Sequence, residues 1–149
     1  ANRDTVRYLL SRHNRPTPRI TAGALLARER LATAMIDVSD GLIQDLGHIC
    51  KASGIGAQIW QDRLPLSRAY RKLAGRAGTR HALSGGEDYE LLFCARKRDR
   101  RRIEKLGTRA RVMITRIGTC DLGKNGIVVL DPAGNSIETR AAGHDHFKK

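Results

Sequence analysis

Apolar positions recur at two spacings along the chain, and these spacings predict both helices and strands. Apolar residues follow helical intervals from Leu42 to Cys50, and Gly54 follows in the position that commonly closes a helix. Further helices are expected at residues 4–11, 21–31, 68–77 and 98–106. Strands are expected at residues 34–36, 55–60, 89–94, 112–117, 127–130 and 136–139. Because helices and strands alternate and the last two strands form a hairpin, the pattern predicts an α+β domain with a mixed β-sheet flanked by helices.

Capping residues and prolines refine this organisation. Thr21 and Ser67 precede apolar helical patterns and are predicted to cap helices, as is either Ser39 or Asp40. Two prolines within residues 15–19 favour an extended connection. We therefore interpret residues 1–19 as an N-terminal linker segment and residues 20–149 as the folded domain.

Composition narrows the classes of partner. The net charge is +13, with basic residues concentrated in residues 3–19 and 96–111. Such an excess favours anionic partners, either nucleic acid or a nucleotide or phosphorylated metabolite, although a solvated helix face explains it equally well. No apolar run has transmembrane length. The cysteines Cys50, Cys94 and Cys120 are widely spaced, so we interpret them as isolated thiols, which are typical of a reducing cytoplasm.

Asp37, Ser39 and Asp40 lie where a predicted strand ends and a helix begins. A helix N-terminus offers free N–H groups to phosphate, and carboxylates beside it suit Mg²⁺. Ser39 and Asp40 would also be ordinary helix caps. Asp37 precedes the turn, and capping does not explain it. The stretch is therefore a candidate site for Mg²⁺ and phosphate, with capping as the alternative.

Glu87 and Asp88 form a second acidic pair, placed between the glycines of residues 85–86 and an apolar segment. This order is typical of a loop that leads into a strand, and it would present the carboxylates at the mouth of that strand. They could bind a metal or a cationic ring, or they could be solvated acids of a surface turn. His144, Asp145 and His146 near the C-terminus could be metal ligands, but a docked or flexible tail explains them more simply.

Four stretches, in this order, cover nearly the whole chain and resemble the C-terminal domain of the thiamine-monophosphate kinase family, within the superfamily of aminoimidazole ribonucleotide synthetase. They are Arg15-Pro16-x-Pro18-Arg19, Asp37-x-Ser39-Asp40-Gly41-Leu42-x-x-Asp45-Leu46-x-His48-Ile49, Leu64-Pro65-Leu66 and Leu83-Ser84-Gly85-Gly86-Glu87-Asp88-Tyr89-Glu90-Leu91-Leu92-Phe93. The family ends in Gly-aromatic-x-His-Phe, whereas the tail here is Gly143-His144-Asp145-His146-Phe147.

The resemblance implies an ATP- and Mg²⁺-dependent phosphotransferase that converts thiamine monophosphate to thiamine diphosphate. It implies that Asp37 and Asp40 hold Mg²⁺, that Ser39 contacts the ATP phosphates, and that Glu87 meets the thiamine part of the substrate. His144 takes the position of the family's terminal aromatic residue, which stacks on the substrate. No residue is expected to act as a catalytic base, because a substrate phosphate oxygen is already ionised near neutral pH.

Family members are about twice as long, and their N-terminal domain supplies further metal-binding acids, much of the ATP site and the homodimer contact. We therefore interpret the chain as a C-terminal substrate-binding domain with little or no kinase activity alone. One alternative is a superfamily enzyme with a different substrate. Others are a scaffold derived from such a domain and a basic nucleic-acid-binding module, which few aromatic residues and clustered acids disfavour.

Overall fold

The computed structural model describes residues 2–75, 78–123 and 126–137. The helices are α1 (Arg3–Asn14), α2 (Ile20–Arg28), α3 (Leu42–Ser53), α4 (Arg68–Ala74), α5 (Gly78–Ser84) and α6 (Arg100–Ala110). The strands are β1 (Ala32–Val38), β2 (Gly56–Trp60), β3 (Glu90–Ala95), β4 (Gly118–Asp121), β5 (Gly126–Leu130) and β6 (Ser136–Ile137). No helix among the described residues is both long and apolar enough to cross a membrane.

The strands form two sheets. β1 and β3 pair antiparallel, and the second sheet has the order β4-β2-β5-β6. In the second sheet β2 is parallel to β5 and antiparallel to β4, while β5 and β6 form the expected antiparallel hairpin. The predicted α+β class with helices around mixed strands is confirmed, and the mixed pairing lies in the four-stranded sheet.

Helix α3 is central to the larger core. Its apolar face packs on the four-stranded sheet and on α5, and the predicted positions from Leu42 to Cys50 are buried. Gly54 closes the helix with φ 63°, as the pattern predicted. A smaller core packs α2 and α6 against β3 around Leu26, Leu31 and Leu106. The two cores together fix β1, β3 and α3, whose ends meet at the acidic stretches.

Three local predictions have different outcomes. Ser67 accepts a hydrogen bond from the Tyr70 amide at 3.1 Å, so it caps α4 as predicted. The prediction that Thr21 caps a helix is wrong, because α2 already begins at Ile20 and no side chain caps it. Helix α1 begins one residue before and ends three residues after the predicted 4–11, and Asn2 caps it by accepting from the Asp4 amide.

The strand predicted at residues 112–117 is wrong, and the strand β4 begins only at Gly118. The Val112 amide donates to the Gly107 carbonyl at 3.0 Å and so ends α6 in a tight turn. Ile114 then packs on the smaller core rather than pairing with a strand. Ile117 packs on the larger core, and its carbonyl accepts from the Trp60 amide at 2.8 Å, so contact with β2 begins only at the end of the predicted segment.

Two local contacts involve side chains of the second sheet. Trp60 is half-buried and has the guanidinium groups of Arg63 and Arg116 at 5.0 and 4.8 Å from its ring centroid. All three cysteines are free thiols, as expected, but Cys94 and Cys120 are not isolated from each other, because their Sγ atoms lie 3.5 Å apart.

Candidate functional site

The two acidic stretches meet at the end of the two-stranded sheet. In the antiparallel register Asp37 is opposite Leu91 and Val38 is opposite Glu90, so β1 ends where β3 begins. Beyond the strands, the Glu87 amide donates to the Ser39 carbonyl at 2.7 Å, and the Tyr89 amide donates to the Val38 carbonyl at 2.8 Å. Main-chain hydrogen bonds therefore join the loop of residues 37–41 to the loop of residues 85–89.

Glycine permits this close approach at two positions. A Cβ atom at Gly86 would overlap the Ser39 carbonyl oxygen, so no larger residue fits there without displacing the neighbouring loop. Gly41 has φ 130° and faces the Ser84 main chain, where a Cβ would lie 3.1 Å away. Each loop thus contributes one glycine to the contact with the other.

The loop of residues 85–89 holds two strained residues. Glu87 and Tyr89 have φ of 67° and 49°, in the left-handed region that non-glycine residues rarely adopt. Such conformations cost about 1–3 kcal/mol each and persist where surrounding contacts enforce them. Here the hydrogen bonds to the other loop enforce them, and the Glu87 carboxylate is left exposed to solvent.

The start of α3 is capped by a residue that the sequence prediction did not assign. Asp45, with 2% of its surface exposed, accepts the amides of Ser39, Asp40 and Gly41 through one carboxylate oxygen, at 3.0, 3.1 and 3.1 Å. The predicted capping by Ser39 or Asp40 is wrong, because the cap residue is Gly41 and no side chain caps from that position. An acid in the first helical turn is the signal that could have identified Asp45.

The acids of the first loop differ in their surroundings. Asp37 is exposed at the end of β1, while Asp40 is half-buried and accepts a hydrogen bond from the Gln44 side chain at 3.3 Å. One ligand atom each from Asp40, Asp45 and His48 lies within 4.8 Å of the others. This group could hold a cation, although Asp45 already accepts three amides, and Asp37 is not part of it. The structure brings Ser39 and Glu87 together through the main chain.

Residues from the N-terminal segment complete the surroundings of the loops. Arg19 forms a two-pronged ion pair with Glu90 at 2.8 and 2.6 Å, and this hydrogen bonding raises the pKa of Arg19. Arg12 approaches Glu90 at 3.7 Å, and His13 lies 3.5 Å from the Glu87 carboxylate. Residues 1–19, predicted as a linker, therefore include a helix that contacts the candidate site.

The pKa of Asp88, in the loop of residues 85–89, is raised from its ordinary value. Partial removal from water raises the pKa of its carboxyl, and the charge of Glu90 raises it further. His81 and His13 act in the opposite direction. Asp88 consequently favours its neutral form more than an ordinary surface aspartate does.

An apolar groove of about 370 Å³ lies beside Asp37. Its acidic members, Asp37 and Glu90, come from the two paired strands, and Tyr89 lines it from the strained loop. The remaining lining residues are Pro16, Pro18, Arg19, Ile20, Gly23 and Leu91. The arrangement combines exposed carboxylates with an apolar surface, which suits a ligand that carries both a cation and a ring.

The fold is a mixed α/β domain, and the chain belongs to the family described as AIR synthase related protein, C-terminal domain, which residues 4–131 match. Within this family, the chain is similar over most of its length to curated thiamine-monophosphate kinases. The chain is 43% identical over 141 residues to the thiamine-monophosphate kinase of Salmonella typhimurium, covering 94% of this chain and 42% of that relative. The chain therefore spans less than half the length of the curated relatives it matches.

Solved structures agree with this similarity. The thiamine-monophosphate kinase of Stenotrophomonas maltophilia K279a superposes with a TM-score of 0.81 at 39% identity, covering 92% of this chain and 42% of the other. A structure of AaThiL complexed with AMPPCP and TMP superposes with a TM-score of 0.74 at 29% identity, covering 97% and 43%. The resemblance inferred from the four motif stretches is confirmed. His144 lies outside the described residues.

Proposed function

We propose that this chain is the substrate-binding domain of a thiamine-monophosphate kinase, a phosphotransferase that uses ATP and Mg²⁺ to convert thiamine monophosphate to thiamine diphosphate. The observation that carries the proposal is the main-chain junction between the loop that carries Asp37, Ser39 and Asp40 and the loop that carries Glu87. The similarity to thiamine-monophosphate kinases over 94% of the chain supports it. A relative named as complexed with AMPPCP, an ATP analogue, supports ATP as the co-substrate.

Asp37 and Asp40 are the proposed Mg²⁺ ligands. Carboxylate oxygens are the ligands that Mg²⁺ prefers, and Asp37 is exposed at the strand end where a metal–phosphate complex could reach it. Asp40 is available for the role because Asp45, rather than Asp40, caps α3. Bound Mg²⁺ would neutralise charge on the phosphate oxygens. Ser39, between the two acids, would donate hydrogen bonds to ATP phosphate.

Glu87 is the proposed contact for the thiamine moiety. The Glu87 carboxylate is exposed, and the strained main chain of Glu87 is fixed by its hydrogen bond to Ser39. The position of the residue is therefore fixed before a ligand binds, which lowers the entropic cost of binding. The thiazolium ring of thiamine carries a permanent positive charge, which a carboxylate attracts. The apolar groove beside Asp37 offers a surface for the remainder of a ring-containing ligand. His144 would stack on the substrate as the family's aromatic residue does.

The reaction needs no catalytic base from this chain. The attacking oxygen belongs to a phosphate that is ionised near neutral pH, so the protein must hold two anions in line and offset their repulsion. Further metal-binding acids, the greater part of the ATP site and a homodimer contact are expected from an N-terminal domain. We therefore expect little or no turnover from this chain alone.

The test uses the protein made from the complete reading frame in which this sequence lies. It is incubated with Mg²⁺, ATP and thiamine monophosphate, and thiamine diphosphate is quantified. We expect product, with losses of at least about 100-fold for Asp37→Asn, since a charged phosphate-site group supplies several kcal/mol. Glu87→Ala should weaken thiamine monophosphate binding, while Glu104→Ala, an exposed glutamate on α6, should have no effect.

Two results would contradict the proposal. Absence of thiamine diphosphate from a folded, complete protein would indicate a different phosphorylated substrate within the same superfamily. Equal activity of Glu87→Ala and Glu104→Ala would remove Glu87 from the substrate site. Robust turnover by the isolated chain would contradict the expectation that a second domain supplies much of the ATP site.

A further inference from the structure

Two neighbouring thiols, one from each sheet, lie in contact with each other. Cys94 lies in β3 and Cys120 lies in β4, and these strands belong to different sheets. The two residues are 26 positions apart in the chain, yet their Sγ atoms lie 3.5 Å apart, in hydrogen-bond contact. Neither residue belongs to the loops that form the candidate kinase site, so the pair needs its own explanation.

We propose that Cys94 and Cys120 are a peroxide-sensitive pair that forms a reversible disulfide between the two sheets. The thiolate of Cys120 attacks hydrogen peroxide, and this forms a sulfenic acid and releases hydroxide. The sulfur of Cys94 then attacks the sulfenic sulfur, and the disulfide forms as water leaves. Each disulfide therefore consumes one peroxide molecule, which is reduced to water while two thiols are oxidised.

The surroundings of the two sulfurs assign the order of these steps. Cys120 is exposed on an edge strand of the four-stranded sheet, so peroxide can reach it. Cys94 is half-buried, and burial together with its hydrogen bond to Cys120 raises the pKa of Cys94 to about 12. Peroxide reacts with thiolates, which makes Cys120 the first thiol to be oxidised and Cys94 the resolving thiol.

The third thiol is a built-in comparison. Cys50 is only 5% exposed and lies in the larger core, where burial raises its pKa. A buried thiol of this kind is inert to peroxide. Oxidation should therefore be selective for the Cys94–Cys120 pair, even though all three thiols belong to the same domain.

The disulfide would restrain the strand that leaves the candidate site. β3 begins at Glu90, directly after the loop that carries Glu87, and Cys94 is four residues further along. A bond to β4 would tie this strand covalently to the second sheet. The inference rests on the thiol geometry alone and does not require the proposed kinase function.

Peptide mapping tests the proposal directly, because trypsin separates the three cysteines. Cleavage after lysine and arginine places Cys50 in peptide 31–51, Cys94 in peptide 81–96 and Cys120 in peptide 117–124. The protein from the complete reading frame is treated with hydrogen peroxide, its remaining thiols are alkylated, and it is digested without reductant. We expect peptides 81–96 and 117–124 as one linked species that dithiothreitol separates.

Three variants give the controls. Cys120→Ser and Cys94→Ser should each abolish the linked species, whereas Cys50→Ala should leave it unchanged. Cys120 lies at the exposed edge, so its variant should fold even if the Cys94 variant does not. Mixing ¹⁴N- and ¹⁵N-labelled protein distinguishes bonds within one molecule from bonds between molecules.

Several outcomes would overturn the proposal. One is a linked species that contains peptide 31–51, and another is a mixed-isotope species as the main product. A third is accumulation of Cys120 sulfinic acid while Cys94 remains fully alkylated. Linkage within one molecule, lost in Cys120→Ser and retained in Cys50→Ala, supports it.

Discussion

Replacement of Asp45 is the sharpest test of how the acidic loop is built. One oxygen of this buried carboxylate accepts the amides of three consecutive residues from Ser39 to Gly41. The variant Asp45→Ala removes the shared acceptor and leaves three donors without their partner. The loop carries the side chains that we propose bind Mg²⁺ and phosphate. The substitution should therefore affect both the stability of the domain and its ligand binding.

The three hydrogen bonds set the expected magnitude. The amides of Ser39 and Asp40 are part-buried, so water can replace the acceptor and each loss costs about 0.5–1.5 kcal/mol. The Gly41 amide is buried, and leaving it unpaired costs about 1–3 kcal/mol. We expect Asp45→Ala to lower the free energy of unfolding by about 2–6 kcal/mol. Asp45→Asn should cost about half as much, because charge-assisted hydrogen bonds are roughly twice as strong as neutral ones.

Urea unfolding followed by circular dichroism measures the change, and the slope with urea must stay constant for the comparison to hold. Amide hydrogen exchange provides a local measurement, since the Gly41 amide should lose protection in Asp45→Ala. Asp62→Ala is the matched control, because Asp62 is an exposed aspartate and should change stability by less than about 0.5 kcal/mol. Equal stabilities of Asp45→Ala and Asp62→Ala would refute the capping role.

Three further predictions concern the neighbouring loop. Gly86→Ala should destabilise the domain by about 1–3 kcal/mol, because its Cβ overlaps the Ser39 carbonyl; urea unfolding measures this. The raised pKa of Asp88 means that the folded state favours its neutral form, so stability falls as pH rises from the ordinary carboxyl pKa through the raised one. Asp88→Asn should remove that fall, as unfolding midpoints across the acidic pH range will test. Arg19 and Glu90 should show a coupling energy of about 1 kcal/mol in a double-mutant cycle, decreasing with added salt.

Each of these predictions has a control variant or a result that would contradict it. Gly47→Ala lies inside α3, where a Cβ would make an ordinary contact with the Ile127 side chain at 3.9 Å, so it should stabilise the protein by about 0.5–1 kcal/mol where Gly86→Ala destabilises it. An unchanged pH profile for Asp88→Asn would count against the assigned titration. A coupling energy near zero at low salt would mean that the Arg19 pair does not hold the N-terminal segment.

Local patterns predicted those elements whose determinants lie within a few residues. Helix α3 follows from its own apolar spacing and its closing Gly54, and the Ser67 cap needs only the helix beside it. The cap of α3 was assigned wrongly because three acceptors compete within seven residues, and burial selects Asp45. Burial depends on the packing of α3 against the sheet, which residue spacing alone does not specify.

Contacts between segments that are distant in the chain account for the other differences between the predicted and the observed structure. Residues 112–117 are apolar enough for a strand, but Val112 ends α6 in a tight turn and Ile114 packs on the smaller core, so the strand begins only at Gly118. The 26-residue separation of Cys94 and Cys120 gives no local sign of their contact. The motif resemblance singled out the two acidic loops, and the roles of their side chains stay a prediction. The junction that joins the loops uses main-chain atoms, and the glycines are its only local sign in the sequence.

The main-chain character of that junction has a consequence for how the domain can diversify. The hydrogen bonds from Glu87 and Tyr89 to the opposite loop involve only atoms that every residue other than proline possesses. Exchange of Glu87, at φ 67°, for another side chain without a branch at Cβ therefore leaves the bridge between the loops chemically intact, while Gly41 and Gly86 cannot be replaced so freely. In such a domain, main-chain hydrogen bonds and glycines fix the structure of the site, while the side chain at position 87 would set its ligand preference. Libraries randomised at position 87 should accordingly yield folded proteins with altered selectivity more often than libraries randomised at position 86.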